Sequence, residues 1–503
     1  MGYFLLFLAL FSRPCWGQWE PNVVGSRSAI VHLFEWKWSD IARECEDFLG
    51  PKGFGGVQTS PPNENVVARN GYIVRPWWER YQPVSYKLET RSGSEQDFID
   101  MVRRCNNANV RVYPDIVINH MTGGWPQGTP ATGGSSFNSD TLDYPGVPFS
   151  AYDFHGPNEC PTASGDIESY QDPVQVRNCR LVGLRDLKHE AEYVREKIIE
   201  YLNRLIGYGV AGFRIDASKH MWPGDLENML GRLNDLNTEF FAPGSRAFIF
   251  MEVIDLGGEP ISSDEYTYIG RVTEFKYGKF LGEVWRKMNE LQWLGNFGEG
   301  WGMQPGGSVV VFIDNHDNQR GHGAGGQNIL TFRVSRMYKM ATAYMLAWNY
   351  GFPRIMSSYY WDQDWQGGQD KNDWVGPPMD GNENTLDVSI DADGTCGNGW
   401  MCEHRWRQIY NMVAFRNAAG GTLRLYSSGK GFIAINNDDG ASWTGSFATT
   451  LSAGDYCDVI SGSKENGGCT GKTITVDGSG MAYIDISASE EDPMVAIHVD
   501  AKL

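Results

Sequence analysis

Eight short apolar runs alternate with amphipathic stretches along the first four-fifths of the chain, and this alternation leaves few folds open to it. The runs are rich in Val, Ile and Phe, and the stretches between them have helical periodicity. Repeated strand and helix units of this kind predict an α/β fold, a parallel TIM barrel wrapped by helices. The predicted strands are Ala29–Phe34, Gly55–Thr59, Val110–Ile118, Val210–Ile215, Ala247–Val253, Val272–Phe275, Val309–Ile313 and Ile355–Ser357, and the helix-like stretches include Gln96–Asn106, Ala191–Ile206, Asp225–Leu236 and Phe332–Leu346.

The distances between strand ends locate an insertion. Asp216 to Glu252 spans 36 residues, which suits one unit of about 30 residues. Asn119 to Asp216 spans 97 residues, which is too long for one unit. Because Thr122–Asp172 is rich in Gly, Pro, Ser and Asp, we expect a small irregular domain after the third strand. Beyond about Gly420, short alternating runs with turn residues every eight to twelve positions predict a C-terminal antiparallel β-sandwich. Its predicted strands are Phe432–Asn436, Cys457–Ile460, Thr473–Val476, Ala482–Ile486 and Met494–Val499.

The first 17 residues resemble a secretory signal rather than part of the fold. The apolar run Tyr3–Phe11 is too short to span a bilayer and is followed by small residues suited to cleavage after Gly17. We therefore expect an exported, soluble protein. The predicted division is a signal peptide over 1–17, a barrel over 18–118 and 188–420, an inserted domain over 119–187 and a sandwich over 421–503.

The cysteines also fit an oxidising compartment. Removal of Cys15 with the signal leaves eight of the nine, and no pair has the Cys-x-x-Cys spacing of a zinc site, so disulfides are expected. The residues alone leave the pairing open, although Cys396 with Cys402 and Cys457 with Cys469 would close short loops.

Charge excludes two classes of partner. With 62 acidic against 43 basic residues the formal net charge is −19, which would repel nucleic acids and anionic membrane surfaces. The 18 Trp and 23 Tyr indicate a large aromatic core or a surface that stacks on flat ligands.

Three of the predicted strands end in carboxylates, at the rim where barrel enzymes place catalytic residues. Asp216 follows the fourth strand, Glu252 the fifth and Asp317 the seventh. Any one of them could be a helix N-cap, but three on one rim match the carboxyl pair that cleaves a glycosidic bond. Arg214, two residues before Asp216 and on the same side of the strand, would keep Asp216 ionised. The apolar residues before Glu252 would favour its protonated form.

The motifs around these carboxylates closely resemble the conserved blocks of animal α-amylases. They are Gly212-Phe213-Arg214-Ile215-Asp216-Ala217-Ser218-Lys219-His220, Glu252-Val253-Ile254-Asp255, Phe312-Ile313-Asp314-Asn315-His316-Asp317-Asn318-Gln319-Arg320 and the opening Val31-His32-Leu33-Phe34-Glu35-Trp36-Lys37-Trp38. The resemblance runs from Gln18 to the C-terminus. It implies a retaining endo-acting hydrolase of α-1,4-glucosidic bonds in starch and glycogen, with Asp216 as nucleophile, Glu252 as general acid and base, and Asp317 as transition-state stabiliser.

The resemblance also implies an open cleft for an α-glucan chain. An aromatic platform would stack on glucose rings, histidines would bond the central sugar, and a glycine-rich loop over 321–326 would act as a lid. The residues assigned to substrate binding in this way are Trp77, Trp78, Tyr81, Gln82, His120, Tyr170, Arg214, Lys219, His220, Ile254, His316 and His322.

Two ions follow from the same resemblance. One Ca²⁺ would join the inserted domain to the barrel through oxygen donors, the side chains of Asn119 and Asp186 and the backbone carbonyls of Arg177 and His220. One Cl⁻ would be held by Arg214, Asn315 and Arg354, and the arginine at the last position implies chloride dependence.

The implied disulfides are Cys45–Cys105, Cys160–Cys179, Cys396–Cys402 and Cys457–Cys469. Vertebrate members usually have a fifth bridge near the inserted domain, so four bridges are more similar to invertebrate members. The resemblance further implies a monomeric enzyme secreted into a digestive lumen, with proteinaceous inhibitors as partners.

Two other functions stay open at this point. One is a related α-glucosidase or transglycosidase on the same barrel, which the products from soluble starch would distinguish. The other is a catalytically inactive, amylase-like carbohydrate-binding protein, against which the intact Asp216, Glu252 and Asp317 argue.

Overall fold

The computed structural model describes residues 18–419 and 429–503. The predicted signal peptide over 1–17 and the predicted start of the C-terminal domain at 421 lie outside the described residues. Within them, no helix is both long enough and apolar enough to cross a membrane.

A closed parallel barrel forms the centre of the fold, as predicted. The eight predicted strands are all present, with ends that differ by a few residues. They are β1 Ile30–Leu33, β2 Gly56–Thr59, β3 Arg111–Ile116, β4 Gly212–Ile215, β5 Phe248–Met251, β6 Arg271–Thr273, β7 Val309–Val311 and β8 Phe352–Ser357. The strands neighbour one another in the order β1-β8-β7-β6-β5-β4-β3-β2. Nearly all of their side chains are buried, because helices cover the outside while side chains fill the inside.

Helices connect the strands and pack around the barrel. One predicted helix, Asp225–Leu236, is shorter than expected: it occupies Pro223–Gly231 and begins with proline in its first turn. Leu233 and Leu236 lie beyond the end of this helix, in a loop that buries both side chains. Their spacing of three residues resembles that of a helix, which explains the longer prediction. The helices are α1 Trp38–Glu44, α2 Glu95–Asn107, α3 Pro173–Asn178, α4 Glu192–Tyr208, α5 Pro223–Gly231, α6 Phe275–Trp285, α7 Ser335–Ala347 and α8 Arg407–Ala419.

The insertion between β3 and β4 is largely irregular, as expected, and contains α3 near its end. Its two ends lie side by side. Met121 N donates to Arg185 O at 2.9 Å, and Leu187 N donates to Asn119 O at 3.0 Å. This pairing supports a separate unit on the barrel rim, and the boundaries 119–187 remain a prediction.

The C-terminal part is antiparallel. Its strands are β9 Gly431–Ile435, β10 Trp443–Ala448, β11 Gly454–Cys457, β12 Thr473–Val476, β13 Met481–Ile486 and β14 Met494–His498. One sheet has the order β10-β13-β12-β11, and β9 pairs with β14. The strand Trp443–Ala448 was not predicted, because Thr, Gly and Ser dilute its apolar pattern and much of it is exposed. The predicted strand Cys457–Ile460 is instead Gly454–Cys457.

Three small hairpins have strands of two residues each. They pair Arg69–Asn70 with Ile73–Val74, Trp365–Gln366 with Gln369–Asp370, and Lys464–Glu465 with Gly468–Cys469.

Four disulfides confirm the pairing that the family resemblance implies: Cys45–Cys105, Cys160–Cys179, Cys396–Cys402 and Cys457–Cys469. The first joins Cys45, the residue that directly follows α1, to Cys105 on α2, and the second lies within the insertion.

Candidate active site

The three predicted carboxylates line one cleft at the carboxyl ends of the barrel strands. Asp216 follows β4 directly, Glu252 follows β5, and Asp317 lies in the connection after β7. The cleft has a volume of about 620 Å³. The barrel topology therefore brings together side chains that are up to 101 residues apart in sequence.

The guanidinium group of Arg214 contacts two of these carboxylates, those of Asp216 and Glu252, and a further one, that of Asp115. Arg214 Nη1 lies 2.8 Å from Asp216 Oδ1 and 2.6 Å from Asp115 Oδ1, and Arg214 Nη2 lies 2.6 Å from Glu252 Oε1. Arg214 is 1% exposed, directly beneath the cleft. The strand register explains the contact with Asp115, because Arg214 on β4 pairs with Asp115 on β3. Ala217 N also donates to Glu252 Oε2 at 2.9 Å, which fixes the orientation of that carboxylate.

Burial and mutual repulsion set the proton affinities in this cluster. Burial raises the pKa of Asp216 well above its usual range, and Arg214 only partly opposes that rise. Burial would lower the pKa of Arg214, but Asp115, Glu252 and Asp216 raise it well above its usual value. Burial and the charge of Glu252 raise the pKa of Asp317 to about 7. The predicted Arg214–Asp216 contact is present, but three carboxylates around one cation favour retention of a proton within the cluster.

Aromatic rings form one wall of the cleft. Pro76 precedes a 3-10 helix over Trp77–Tyr81, which presents Trp77 and Tyr81 beside His316. The Tyr81 and His316 rings stack with centroids 5.1 Å apart, and the Trp77 ring lies 5.5 Å from His316. Trp78, farther along the wall, lies 6.4 Å from the Trp125 ring of the insertion. Flat apolar faces of this kind suit the apolar face of a sugar ring.

The opposite end of the cleft carries a cation and an acid. Lys219 Nζ donates to Ile254 O at 2.8 Å and forms an ion pair with Glu259. The Tyr170 ring lies 5.4 Å from Lys219 Nζ, and His220 also lines this end.

Comparison with known proteins finds two matching family models and similar proteins that align over nearly the whole chain. Residues 77–252 match the family described as alpha amylase, catalytic domain, and residues 407–500 match alpha amylase, C-terminal all-beta domain. Pancreatic alpha-amylase 2a5 from Mus musculus is 56% identical over 99% of this chain and 100% of its own length. Alpha-amylase 2B from Homo sapiens is 58% identical over 99% of both chains. The solved structure of alpha-amylase I from Eisenia fetida has a TM-score of 0.89 and 52% identity, and the match covers 95% of this chain and 98% of that one.

The chain belongs to the animal α-amylase family. It is accordingly an enzyme of the amylase type, a glycoside hydrolase on a TIM barrel.

Most of the substrate-binding residues that the resemblance to α-amylases implies line the cleft. Gln82 and Arg214 are absent from its lining. Gln82 Oε1 accepts from Gly123 N at 2.9 Å and from Trp125 Nε1 at 2.7 Å, so it ties the aromatic wall to the insertion. The predicted residues in the lining are Trp77, Trp78, Tyr81, His120, Tyr170, Asp216, Lys219, His220, Glu252, Ile254, His316, Asp317 and His322.

The histidines differ in their free bonding capacity. His120 Nε2 lies 2.9 Å from Tyr81 O, and its Nδ1 lies 3.1 Å from Asn119 Nδ2, so protein atoms engage both nitrogens. His316 Nε2 lies 3.3 Å from Asp317 Oδ2, whereas its Nδ1 is buried without a partner. His322, in the glycine-rich loop, has its Nε2 3.2 Å from Asp373 Oδ2.

Three acidic residues in or beneath the α-amylase cleft were not predicted from the sequence: Asp115, which is buried beneath it, and Glu259 and Asp373, which line it. Asp115 contacts Arg214 and accepts from Tyr81 OH at 3.0 Å, and Glu259 and Asp373 line the two ends of the cleft. Asp115 carried a usable signal, since it is a charged residue inside the apolar run of a buried strand. Glu259 and Asp373 lie in loops without a periodic pattern, so nothing local marked them.

The oxygen donors implied for calcium suit a hard cation. Asn119 Oδ1 is buried without a hydrogen-bond partner, and Asp186 is 3% exposed with its Oδ2 2.6 Å from His155 Nδ1. Over residues 18–419 and 429–503 no cluster of three or more His, Cys, Asp or Glu could hold a metal. The implied calcium set has only one carboxylate and otherwise uses amide and backbone oxygens. A site of this composition would not form such a cluster, so the absence of a cluster does not contradict the implied calcium site.

The residues implied for chloride present unused donors. Arg214 Nε and two nitrogens of Arg354, Nε and Nη2, are buried without partners. Arg354 Nη1 donates to Gln58 Oε1 at 2.9 Å. Burial and the nearby charge of Arg214 lower the pKa of Arg354 to about 10. An anion between the two guanidinium groups would satisfy these donors and offset the repulsion. Asn315 Oδ1 accepts from Asn318 N at 2.8 Å, which leaves its Nδ2 as the donor for an anion.

Proposed function

We propose that this enzyme cleaves internal α-1,4-glucosidic bonds of starch and glycogen with retention of configuration. The observation that carries the proposal is the shared contact of Asp216 and Glu252 with Arg214, at 2.8 Å and 2.6 Å, within one cleft. Two carboxylates held by adjacent nitrogens of one guanidinium lie close together. Closely spaced carboxyl groups are the arrangement of a retaining glycosidase, whereas an inverting enzyme needs room for a water molecule between them.

In the proposed reaction, the Asp216 carboxylate attacks the anomeric carbon while Glu252 gives its proton to the departing glycosidic oxygen. A covalent glycosyl-enzyme results. Glu252, now ionised, takes a proton from water, which attacks the same carbon and releases Asp216. Asp317 would hold substrate hydroxyls in both steps, and the buried, unpartnered His316 Nδ1 offers a further contact to the sugar.

The proposed substrate is a chain rather than a single sugar. The cleft is open and runs from the Trp77 wall to Lys219 and Glu259. A variant of alpha-amylase I from Eisenia fetida was solved as a complex with maltohexaose. By its family membership and this cleft shape, the present chain would bind α-glucan segments in the same manner.

We assign one Ca²⁺ to Asn119, Asp186 and the carbonyls of Arg177 and His220, where it would hold the insertion on the barrel. Arg177 donates through its guanidinium to Glu265 at 2.8 Å, so its side chain is engaged elsewhere and only its carbonyl would serve the cation. One Cl⁻ is assigned to Arg214, Asn315 and Arg354, where its charge would favour the protonated form of the general acid.

The proposed setting is extracellular. Four disulfides and the apolar N-terminal run support secretion, and a digestive lumen would supply the substrate. We propose a monomer whose partners, besides α-glucans, include proteinaceous inhibitors that enter the cleft.

Two measurements on soluble starch test this function. Chromatography should show mixed short maltooligosaccharides from the earliest times, and proton NMR should show the new reducing ends as α-anomers before mutarotation. Free glucose as the sole product would instead indicate an α-glucosidase, and initial β-anomers would contradict the covalent intermediate.

A further inference from the structure

A short hairpin stands beside the aromatic wall of the cleft. Its strands, Arg69–Asn70 and Ile73–Val74, are joined by the two-residue turn Gly71-Tyr72. Gly71 has φ +62°, a conformation that favours glycine at the first position of such a turn. Tyr72 is therefore fixed at the tip, where it is 74% exposed.

The Tyr72 ring belongs to the same wall as the cleft. It lies 6.0 Å from the half-buried Trp374 ring. Trp77, which lines the cleft, donates through its backbone N to Trp374 O at 3.3 Å and through its Nε1 to Asp373 O at 2.8 Å. Asp373 itself lines the cleft. The aromatic surface thus continues from Trp77 past Asp373 to Trp374 and Tyr72.

The order of the strands in the barrel shows at which end of the cleft Tyr72 and Trp374 lie. The hairpin follows β2, and Trp374 follows β8; both strands flank β1. Lys219 follows β4 and Glu259 follows β5, which lie across the barrel from β1. Tyr72 and Trp374 consequently lie beyond the end of the cleft that is opposite Lys219 and Glu259.

The base of the hairpin is braced on the helix that carries Trp77. Arg75 N donates to Ala68 O at 3.0 Å, which closes the hairpin. Glu79, on the 3-10 helix, accepts from Ala68 N at 3.0 Å and from Arg75 Nε at 3.0 Å. At the outer side, Arg69 pairs with Glu383. A ring on so well anchored a turn needs little further ordering when a ligand stacks on it.

We propose that Tyr72, with Trp374 beside it, is an additional stacking site for a glucose unit of an α-glucan chain that extends past Trp77. The site is continuous with the cleft and consists of aromatic faces, which match the apolar face of a pyranose ring. It selects for chain length, since only a chain long enough to pass Trp77 reaches it. This inference rests on the proposed function.

The test compares Tyr72→Ala, Tyr72→Phe and the wild type on amylose and on a nitrophenyl maltotrioside. Tyr72→Ala should raise KM for amylose about three- to tenfold, the equivalent of one aromatic contact, with kcat unchanged. Its kinetics on the trioside should equal those of the wild type, and Tyr72→Phe should behave as wild type on both. Tyr483→Ala, which removes a 65% exposed ring from β13 of the C-terminal sheet, is the matched control and should change neither.

An unchanged KM for amylose in Tyr72→Ala would overturn the site, and so would an equal change on the trioside or in Tyr483→Ala. A wild type that cleaves neither substrate would overturn the proposed function together with this inference. An active wild type with an indifferent Tyr72→Ala would overturn this inference alone.

Discussion

Arg214 Nη1 and Asp216 Oδ1 lie 2.8 Å apart at the end of β4, and the other terminal nitrogen of the same arginine contacts Glu252. The spacing between the proposed nucleophile and the proposed acid is thus set by one planar group. An ammonium group cannot contact two carboxylates with the same fixed geometry.

Arg214→Lys should therefore keep the local charge but lower kcat by more than about tenfold. Arg232→Lys is a suitable control and should keep the wild-type rate, because Arg232 pairs with the single carboxylate of Glu192 outside the cleft lining. Initial rates on soluble starch would measure the effect, with circular dichroism to verify folding. A fully active, folded Arg214→Lys enzyme would show that the shared guanidinium does not organise the site.

The unpartnered nitrogens of Arg354 predict a loss of chloride response. Arg354→Gln removes a buried guanidinium group whose Nε and Nη2 have no hydrogen-bond partner, and whose pKa is lowered by burial and by the nearby charge of Arg214. We expect activity that responds less to added chloride than that of the wild type, measured as kcat/KM across a chloride titration. Arg333→Gln, whose arginine donates to Trp361 O away from this cluster, should respond like the wild type. Wild-type activation of Arg354→Gln would remove Arg354 from the anion site.

Asp186→Asn tests the assignment of calcium. Asp186 and Glu190 contact opposite nitrogens of His155, at 2.6 Å and 3.0 Å, but only Asp186 is an assigned ligand. Calcium should raise the unfolding temperature of the wild type and of Glu190→Gln, because a ligand that binds only the folded state stabilises it. The unfolding temperature of Asp186→Asn should respond far less. Equal calcium responses in the two variants would place the cation elsewhere.

The raised pKa of Asp317 predicts a particular pH dependence of stability. Its pKa is about 7 in the folded enzyme, because of burial and the charge of Glu252, against about 3.9 for an unfolded chain. Between these values the folded state holds a proton that the unfolded state has lost, so this group makes the free energy of unfolding fall as pH rises from about 4 to 7. Asp317→Asn should flatten that fall in urea titrations at several pH values. A slope as steep as that of the wild type would assign the proton to another group.

Much of the architecture could be predicted, because the barrel strands are buried and bounded by turns. Each apolar run, from Ala29–Phe34 to Ile355–Ser357, became one strand, and the carboxylates at the ends of β4 and β5 met as expected. The strand Trp443–Ala448 has no apolar run of this kind, because most of its side chains are exposed to solvent and polar residues such as Thr and Ser are tolerated there.

The finer features of the site depend on tertiary contacts that no local pattern encodes. Glu259 and Asp373 enter the cleft from loops after different strands. Gln82 is adjacent to the aromatic helix in sequence, yet it bonds the insertion instead of facing the cleft. The family resemblance supplied ligand sets and disulfide pairs that residue chemistry alone had left open.

Hydrolysis of soluble starch by the wild type and by Glu252→Gln, with calcium and chloride present, tests the central claim most directly. The wild type should release mixed maltooligosaccharides, and Glu252→Gln should lose about 10²- to 10⁴-fold in kcat while it remains folded, as expected when a general acid is removed. Glu259→Gln, which alters another cleft carboxylate, should retain a kcat close to that of the wild type. Two results would contradict the assigned mechanism: turnover of starch by Glu252→Gln at the wild-type rate, or equal inactivity of the wild type and Glu252→Gln.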